Sequence, residues 1–250
     1  MSGHSKWATI KRKKGATDAA RGRMFTRLIR EITIAARAGG GDLGGNPRLR
    51  TAVATAKAAN MPKDNIDRAI KKGTGELEGA VFEEILYEGY GPSGVAVLAE
   101  TVTDNRNRAA SEIRHAFTKY GGNLGAVGSV AYMFEQKGMV YVERSQVTED
   151  AIFEAAMEVG AEDVNTDAED RYEVITSAGG FHAVLSGLEK KGIPVADAGM
   201  ERVAKTTKAL NKTEAEKFFK FFEALEEIDD VQKVFANFEI SDEIMEKLGG

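Results

Sequence analysis

Residues 17–38 read TDAARGRMFTRLIREITIAARA. At about 100° per residue with Arg23 set to zero, Phe25, Leu28, Ile29, Ile32, Ala35 and Ala36 fall between about 120° and 240°. Arg23, Arg27, Arg30 and Arg37 fall within about 40° of zero on the opposite side. The spacing predicts an amphipathic helix from about Thr17 to Ala38, apolar on one face and arginine-lined on the other, with Ile34 interrupting the stripe. The stripe has no carboxylate partner on its own helix, because Glu31 sits to the side.

Outward from this helix the N-terminal region reads as helical throughout. A basic leader precedes it, Lys6, Lys11, Arg12, Lys13 and Lys14 around the single Trp7. The glycine-rich run Gly39–Gly45 ends the helix. Asn46-Pro47 opens a second helix, with Asn as N-cap and Pro at the first position, and Leu49, Val53 and Ala56 on its buried side. Pro62 opens a third, capped by Asn60 or Met61, with Ile66, Ala69 and Ile70 inward and Gly73 as its stop. Residues 1–75 are therefore expected to form a basic three-helix domain, with a linker at Gly73-Thr74-Gly75-Glu76.

After the linker the pattern changes to alternating strands and helices. Strands are expected at Phe82–Tyr90, Val95–Val102, Ser129–Phe134, Met139–Glu143, Arg171–Thr176, Val195–Val203 and Val231–Phe238, with a short one near Asp163–Thr166. Helices are expected from Asp104 or Asn105 to Tyr120, over Glu149–Val159, over Gly180–Lys191, and from a Thr213 cap to Glu226. The last carries Phe218, Phe219, Phe221 and Phe222, read mainly as core. Residues 139–203 then follow the β-α-β-β-α-β order of a ferredoxin-like fold. The expected class is α+β in three domains: residues 1–75, a discontinuous middle domain of 79–135 plus 204–250, and a ferredoxin-like domain of 136–203 inserted into it.

Charge is divided along the chain. Residues 1–72 hold 17 Lys/Arg and 5 Asp/Glu, a net of +12, and the remainder holds 17 and 34, a net of −17, giving the overall −5. A basic arm on an acidic body points to a polyanion partner. Five cations beside one indole suit a phosphate backbone with a ring free to stack, and the arginine face adds to that footprint. A second locus is Thr103-Asp104-Asn105-Arg106-Asn107-Arg108, where Arg106 and Arg108 in a helix's first turn oppose its dipole and suggest an anionic partner. The other reading is an Asx cap followed by solvated side chains.

Catalytic signals are weak. The chain has no cysteine, which excludes disulfides and Cys-ligated metal sites. His4, His115 and His182 show no ligand spacing, and no phosphate-binding glycine loop follows a strand. The acids Glu223, Glu226, Glu227, Asp229 and Asp230 suit a solvated helix end better than a cation site. No apolar run approaches the ~20 residues of a membrane span. A cytoplasmic protein without enzyme activity, cofactor, metal or small-molecule substrate is expected, of undetermined oligomeric state.

Several motifs carry a resemblance to the YebC/PmpR family: Ser2-Gly3-His4-Ser5-Lys6-Trp7 with Ile10-Lys11, Asn46-Pro47-Arg48-Leu49-Arg50, and Asn60-Met61-Pro62-Lys63-Asp64-Asn65-Ile66. Tyr87-Glu88-Gly89-Tyr90-Gly91-Pro92, the Thr103–Arg108 locus and Gly121-Gly122-Asn123-Leu124 also match. The resemblance spans essentially the whole chain. It implies a helical N-terminal bundle, two α/β domains of ferredoxin-like kind, and a probable transcriptional regulator that binds DNA. Members are also linked to translation as ribosome-associated factors that relieve stalling at proline runs. No enzyme activity is attached to the family. The residues themselves leave DNA and ribosomal RNA open as targets, and a protein-interaction module that docks the arm on acidic partners stays as a third reading.

Overall fold

The computed structural model describes residues 18–241 and 243–244. The leader cations Lys6, Lys11, Arg12, Lys13 and Lys14, and Trp7, lie outside the described residues. Contacts divide the chain into two compact units, residues 134–203 and the residues on either side of them.

Helix α1 spans Asp18–Gly39, α2 Pro47–Ala58 and α3 Lys63–Thr74. Ile32, Ala35 and Ala36 of α1 are buried with Leu49, Ala52, Val53 and Ala56 of α2 and Ile66 and Ala69 of α3, and Phe25, Leu28 and Ile29 pack against this core. The apolar face read from the sequence is thus the packed face. Asn46 caps α2 as expected: its Oδ1 accepts from the Leu49 N–H at 3.0 Å. Its Nδ2 also donates to the carbonyls of Ala35 at 2.7 Å and Gly40 at 2.8 Å, tying the loop back to α1.

The ends of α3 differ from expectation. Pro62 is the N-cap residue, with no side-chain cap, and Gly75, at φ 83°, closes the C-terminus. Gly73 lies inside the helix because α1 comes too close for a side chain. A Cβ there would stand 2.4 Å from the Thr33 carbonyl oxygen and 2.7 Å from the Ala36 Cβ. Gly→Ala inside a helix ordinarily gains up to about 1 kcal/mol. Here the overlap reverses the sign, and Gly73→Ala is expected to destabilise by about 1–3 kcal/mol, read as a lower urea midpoint.

The bundle's unit continues with β1 (Glu83–Tyr90), β2 (Ala96–Thr103), α4 (Arg106–Lys119) and β3 (Asn123–Leu124). It resumes after residue 203 with β8 (Lys208–Ala209), α7 (Lys212–Glu227), β9 (Val231–Ala236) and β10 (Phe238–Glu239). The main sheet has the order β3-β1-β2-β9, with its three neighbouring pairs antiparallel. Helices α4 and α7 cover one face through Ile113 and Phe117 and through Phe218, Phe221, Phe222 and Leu225. The phenylalanines of α7 are core: Phe221 meets Phe117 edge-on at 4.9 Å between ring centroids. The cap of α7 is Asn211 in a capping box with Glu214, two residues earlier than the expected Thr213 cap.

Ser129–Phe134 is not a strand as expected; it leads through a 3-10 turn at Ala131–Met133. Glu88 explains this. Its carboxylate, 3% exposed, accepts the N–H groups of Gly128 at 2.8 Å, Val130 at 3.0 Å and Ala131 at 2.8 Å. Those donors are the ones a strand would give to a neighbour.

The second unit contains β4 (Phe134–Glu143), α5 (Glu149–Glu158), β5 (Asp163–Asn165), β6 (Arg171–Ser177), α6 (Phe181–Lys190) and β7 (Asp197–Ala204). Its sheet order is β5-β6-β4-β7, with Ile152, Val184 and Leu188 of the helices packed on Val140, Val142 and Val174. This is the βαββαβ arrangement of a ferredoxin-like fold. The bundle's sheet reaches the same two-layer α+β plan through a different strand order.

Candidate nucleic-acid interface

The arginine stripe of α1 meets the C-terminal end of α7. Arg27 Nη2 donates to the Glu226 carbonyl and Arg30 Nη1 to the Asp229 carbonyl. The last carbonyls of a helix have no partner within it and carry the negative end of its dipole, so cations are favoured there. Arg30 Nη2 also lies 3.1 Å from the Asp230 carboxylate, and its guanidinium sits over the Phe82 ring at 5.7 Å. Arg37 Nη1 donates to the Phe82 carbonyl at 3.0 Å. Ile34, which breaks the stripe, is buried. The stripe has no carboxylate partner on its own helix, as expected; its partners come from about two hundred residues away for Arg27 and Arg30 and from 45 residues away for Arg37. Arg23 alone of the four has no hydrogen-bond or ion-pair partner among the described residues.

Asp230 is the centre of this contact. It is 1% exposed, yet it carries a carboxylate at the turn into β9. Arg108 donates to it through Nε at 3.1 Å and Nη2 at 2.9 Å, and the Thr103 hydroxyl donates at 3.0 Å. One buried acid thus joins α1, the end of β2, the start of α4 and the α7–β9 turn. The Thr103–Arg108 locus divides accordingly. Asn105 caps α4, accepting the Arg108 N–H at 3.1 Å. Arg108 pairs with Asp104 at 2.8 Å, and the two carboxylates push its guanidinium further up, Asp104 first. The same contact holds the Asp104 carboxyl below its usual range. Arg106 stays exposed.

The cations differ in how well this setting suits them. Burial holds the Arg27 guanidinium below its ordinary value, against the pull of Glu226, and Arg23 and Arg30 add repulsion. Its Nε is buried with no hydrogen-bond partner among the described residues. Arg48 is the opposite case. It bridges Glu31 at 2.7 Å and Glu84 at 2.6 Å, and hydrogen bonding to Glu31 pushes it up, ahead of the opposing effect of burial. Glu31, read as merely off to the side of the stripe, is spent here.

One exposed basic face of the bundle lies on α3. With Arg68 at zero, Lys71 and Lys72 fall within about 60°, while Ile66, Ala69 and Ile70 fall between about 100° and 200°. Arg68, Lys71 and Lys72 are exposed and form no ion pair among the described residues, although Asp64 stands one turn from Arg68. This face is visible in the sequence by its period, though its run of cations is shorter than the arginine run of α1. Among the described residues no three His, Cys, Asp or Glu side chains are arranged to hold a metal ion, and no described helix is long and apolar enough to cross a membrane.

A basic helical domain clasped to an α+β body defines the architectural class. The chain belongs to the TACO1/YebC family: residues 5–76 match the family's N-terminal domain and residues 82–238 its second and third domains. A relative in Persephonella marina is 55% identical over 249 residues, covering 99% of this chain and 100% of the relative, and is named a probable transcriptional regulatory protein. A relative of the same name in Geobacter sulfurreducens is 56% identical over 248 residues, covering 99% and 100%. The crystal structure of the conserved hypothetical protein Aq1575 from Aquifex aeolicus superposes with a TM-score of 0.85 at 52% identity, covering 90% of this chain and 93% of that one.

Proposed function

We propose that this chain is a non-enzymatic regulator of gene expression that binds nucleic acid, DNA in the first instance, through its N-terminal region. The observation that carries the reading is the charge division, +12 over residues 1–72 against −17 over the rest. The leader cations Lys6, Lys11, Arg12, Lys13 and Lys14 and the α3 face of Arg68, Lys71 and Lys72 supply phosphate contacts. Trp7 supplies a stacking surface, and Arg106 a further exposed cation. Such contacts set affinity and register rather than sequence choice. The names of the relatives support a regulatory role.

The acidic body favours a second reading, a ribosome-associated translation factor. A net of −17 outside the first 72 residues repels bulk nucleic acid and favours a site shaped so that only the N-terminal region touches phosphate. Crosslinking in cells followed by sequencing of the attached nucleic acid tests both. Promoter DNA recovered through the N-terminal region supports the first reading and ribosomal RNA the second. Recovery of neither overturns the nucleic-acid reading.

A further inference from the structure

Arg27 and Arg30 are held by acceptors that match them unequally. Arg30 has a carboxylate at 3.1 Å. Arg27 donates to one main-chain carbonyl, its buried Nε has no hydrogen-bond partner among the described residues, and burial with the repulsion of Arg23 and Arg30 outweighs the pull of the Glu226 and Asp229 charges. A buried cation facing a neutral acceptor keeps much of its desolvation cost. A phosphate offers full charge and several acceptor oxygens, and is the better partner for that guanidinium. The carbonyls of Glu226 and Asp229 and the Asp230 carboxylate are the acceptors that hold Arg27 and Arg30.

We propose that this contact is a releasable clasp: nucleic-acid phosphates displace the end of α7 and Asp230 from Arg27 and Arg30, freeing the bundle from the body as it binds. The inference rests on the nucleic-acid reading and adds its regulation. Asp230 is the positioning residue, since it holds Arg30 and Arg108 at once. In the closed state α3 and the leader make first contact. In the open state the α1 stripe joins them. The acidic turn then sets the apparent affinity by the fraction of molecules in which the clasp is open.

The test uses the full chain with a short DNA duplex and a single-stranded RNA of matched length. The protein lacks cysteine, so Ala58→Cys on α2 and Lys220→Cys on α7 place one dye on the bundle and one on the body. Saturating nucleic acid is expected to lower the energy transfer between them. Arg27→Gln is expected to weaken binding about threefold to tenfold and to flatten the slope of log affinity against log salt by about 0.9, one phosphate contact. Asp230→Asn keeps the side chain's shape and removes its charge. If about a tenth of molecules are open, it raises affinity by up to about tenfold. Should that variant fold poorly, Arg27→Gln and the dye pair still decide. Binding with unchanged energy transfer and an unchanged Arg27→Gln slope overturns the clasp and leaves the nucleic-acid reading standing. Absence of binding to either probe overturns that reading, and the clasp with it.

Discussion

Replacing Asp230 with alanine is expected to destabilise the protein by about 3 kcal/mol. The change removes the acceptor of Arg30, Arg108 and the Thr103 hydroxyl together. Breaking a buried ion pair from one side costs about 3–5 kcal/mol because the surviving charge stays buried without compensation. The lower end applies because Arg108 is 42% exposed and recovers solvation, whereas Arg30 is only 12% exposed and does not. Part of the loss is local, since the Asp230 carbonyl still accepts the Val102 N–H at 2.9 Å and holds β9 beside β2. Chemical denaturation of the variant beside Arg108→Ala separates the contributions. The single Arg108 change, which leaves Asp230 with Arg30 and Thr103, is expected to cost less.

Reversing the charge of Arg68, Lys71 and Lys72 to glutamate together is expected to weaken nucleic-acid binding at least about 100-fold near physiological salt. Three phosphate contacts removed flatten the salt slope by about 2.7. The three side chains are exposed and face away from the packed residues of α3, so stability should stay within about 0.5 kcal/mol per site. Thermal unfolding of the same preparation separates lost contact from lost fold. If affinity and slope match those of the unaltered chain, the α3 face takes no part.

What the sequence made legible follows from how local each signal is. The packed face of α1 needed only its period, and Asn46-Pro47 announced α2 because a side-chain cap and a fixed φ act within a few residues. Gly73 reads locally as a helix stop because the reason for a glycine there, the Thr33 carbonyl, lies on another helix. Ser129–Phe134 looked like a strand by composition, and the buried Glu88 that draws its N–H groups into a turn is about forty residues earlier. The cap of α7 is legible in the sequence: Asn211 followed three residues on by Glu214 is a capping-box spacing.

The interface divides the same way. Four arginines on one face could be read from the helix alone. That three of them are engaged by Phe82 and the Glu226–Asp230 turn could not, because the partners are brought together only by the fold. The acids at 226–230 had one visible cue, an aspartate pair between a helix end and the apolar start of a strand. Such a position buries the second acid wherever a cation can follow it inside, and Arg30 and Arg108 do. The charge division of the chain is therefore partly neutralised within the molecule, and the α3 face and the leader carry a large part of the basicity left for a partner.

The central claim is that the N-terminal region holds a nucleic-acid backbone by charge. Its most direct test is the affinity of the full chain for a short DNA duplex across a series of salt concentrations. Engagement of about six phosphates predicts a slope of log affinity against log salt near −5; a slope near zero contradicts the account.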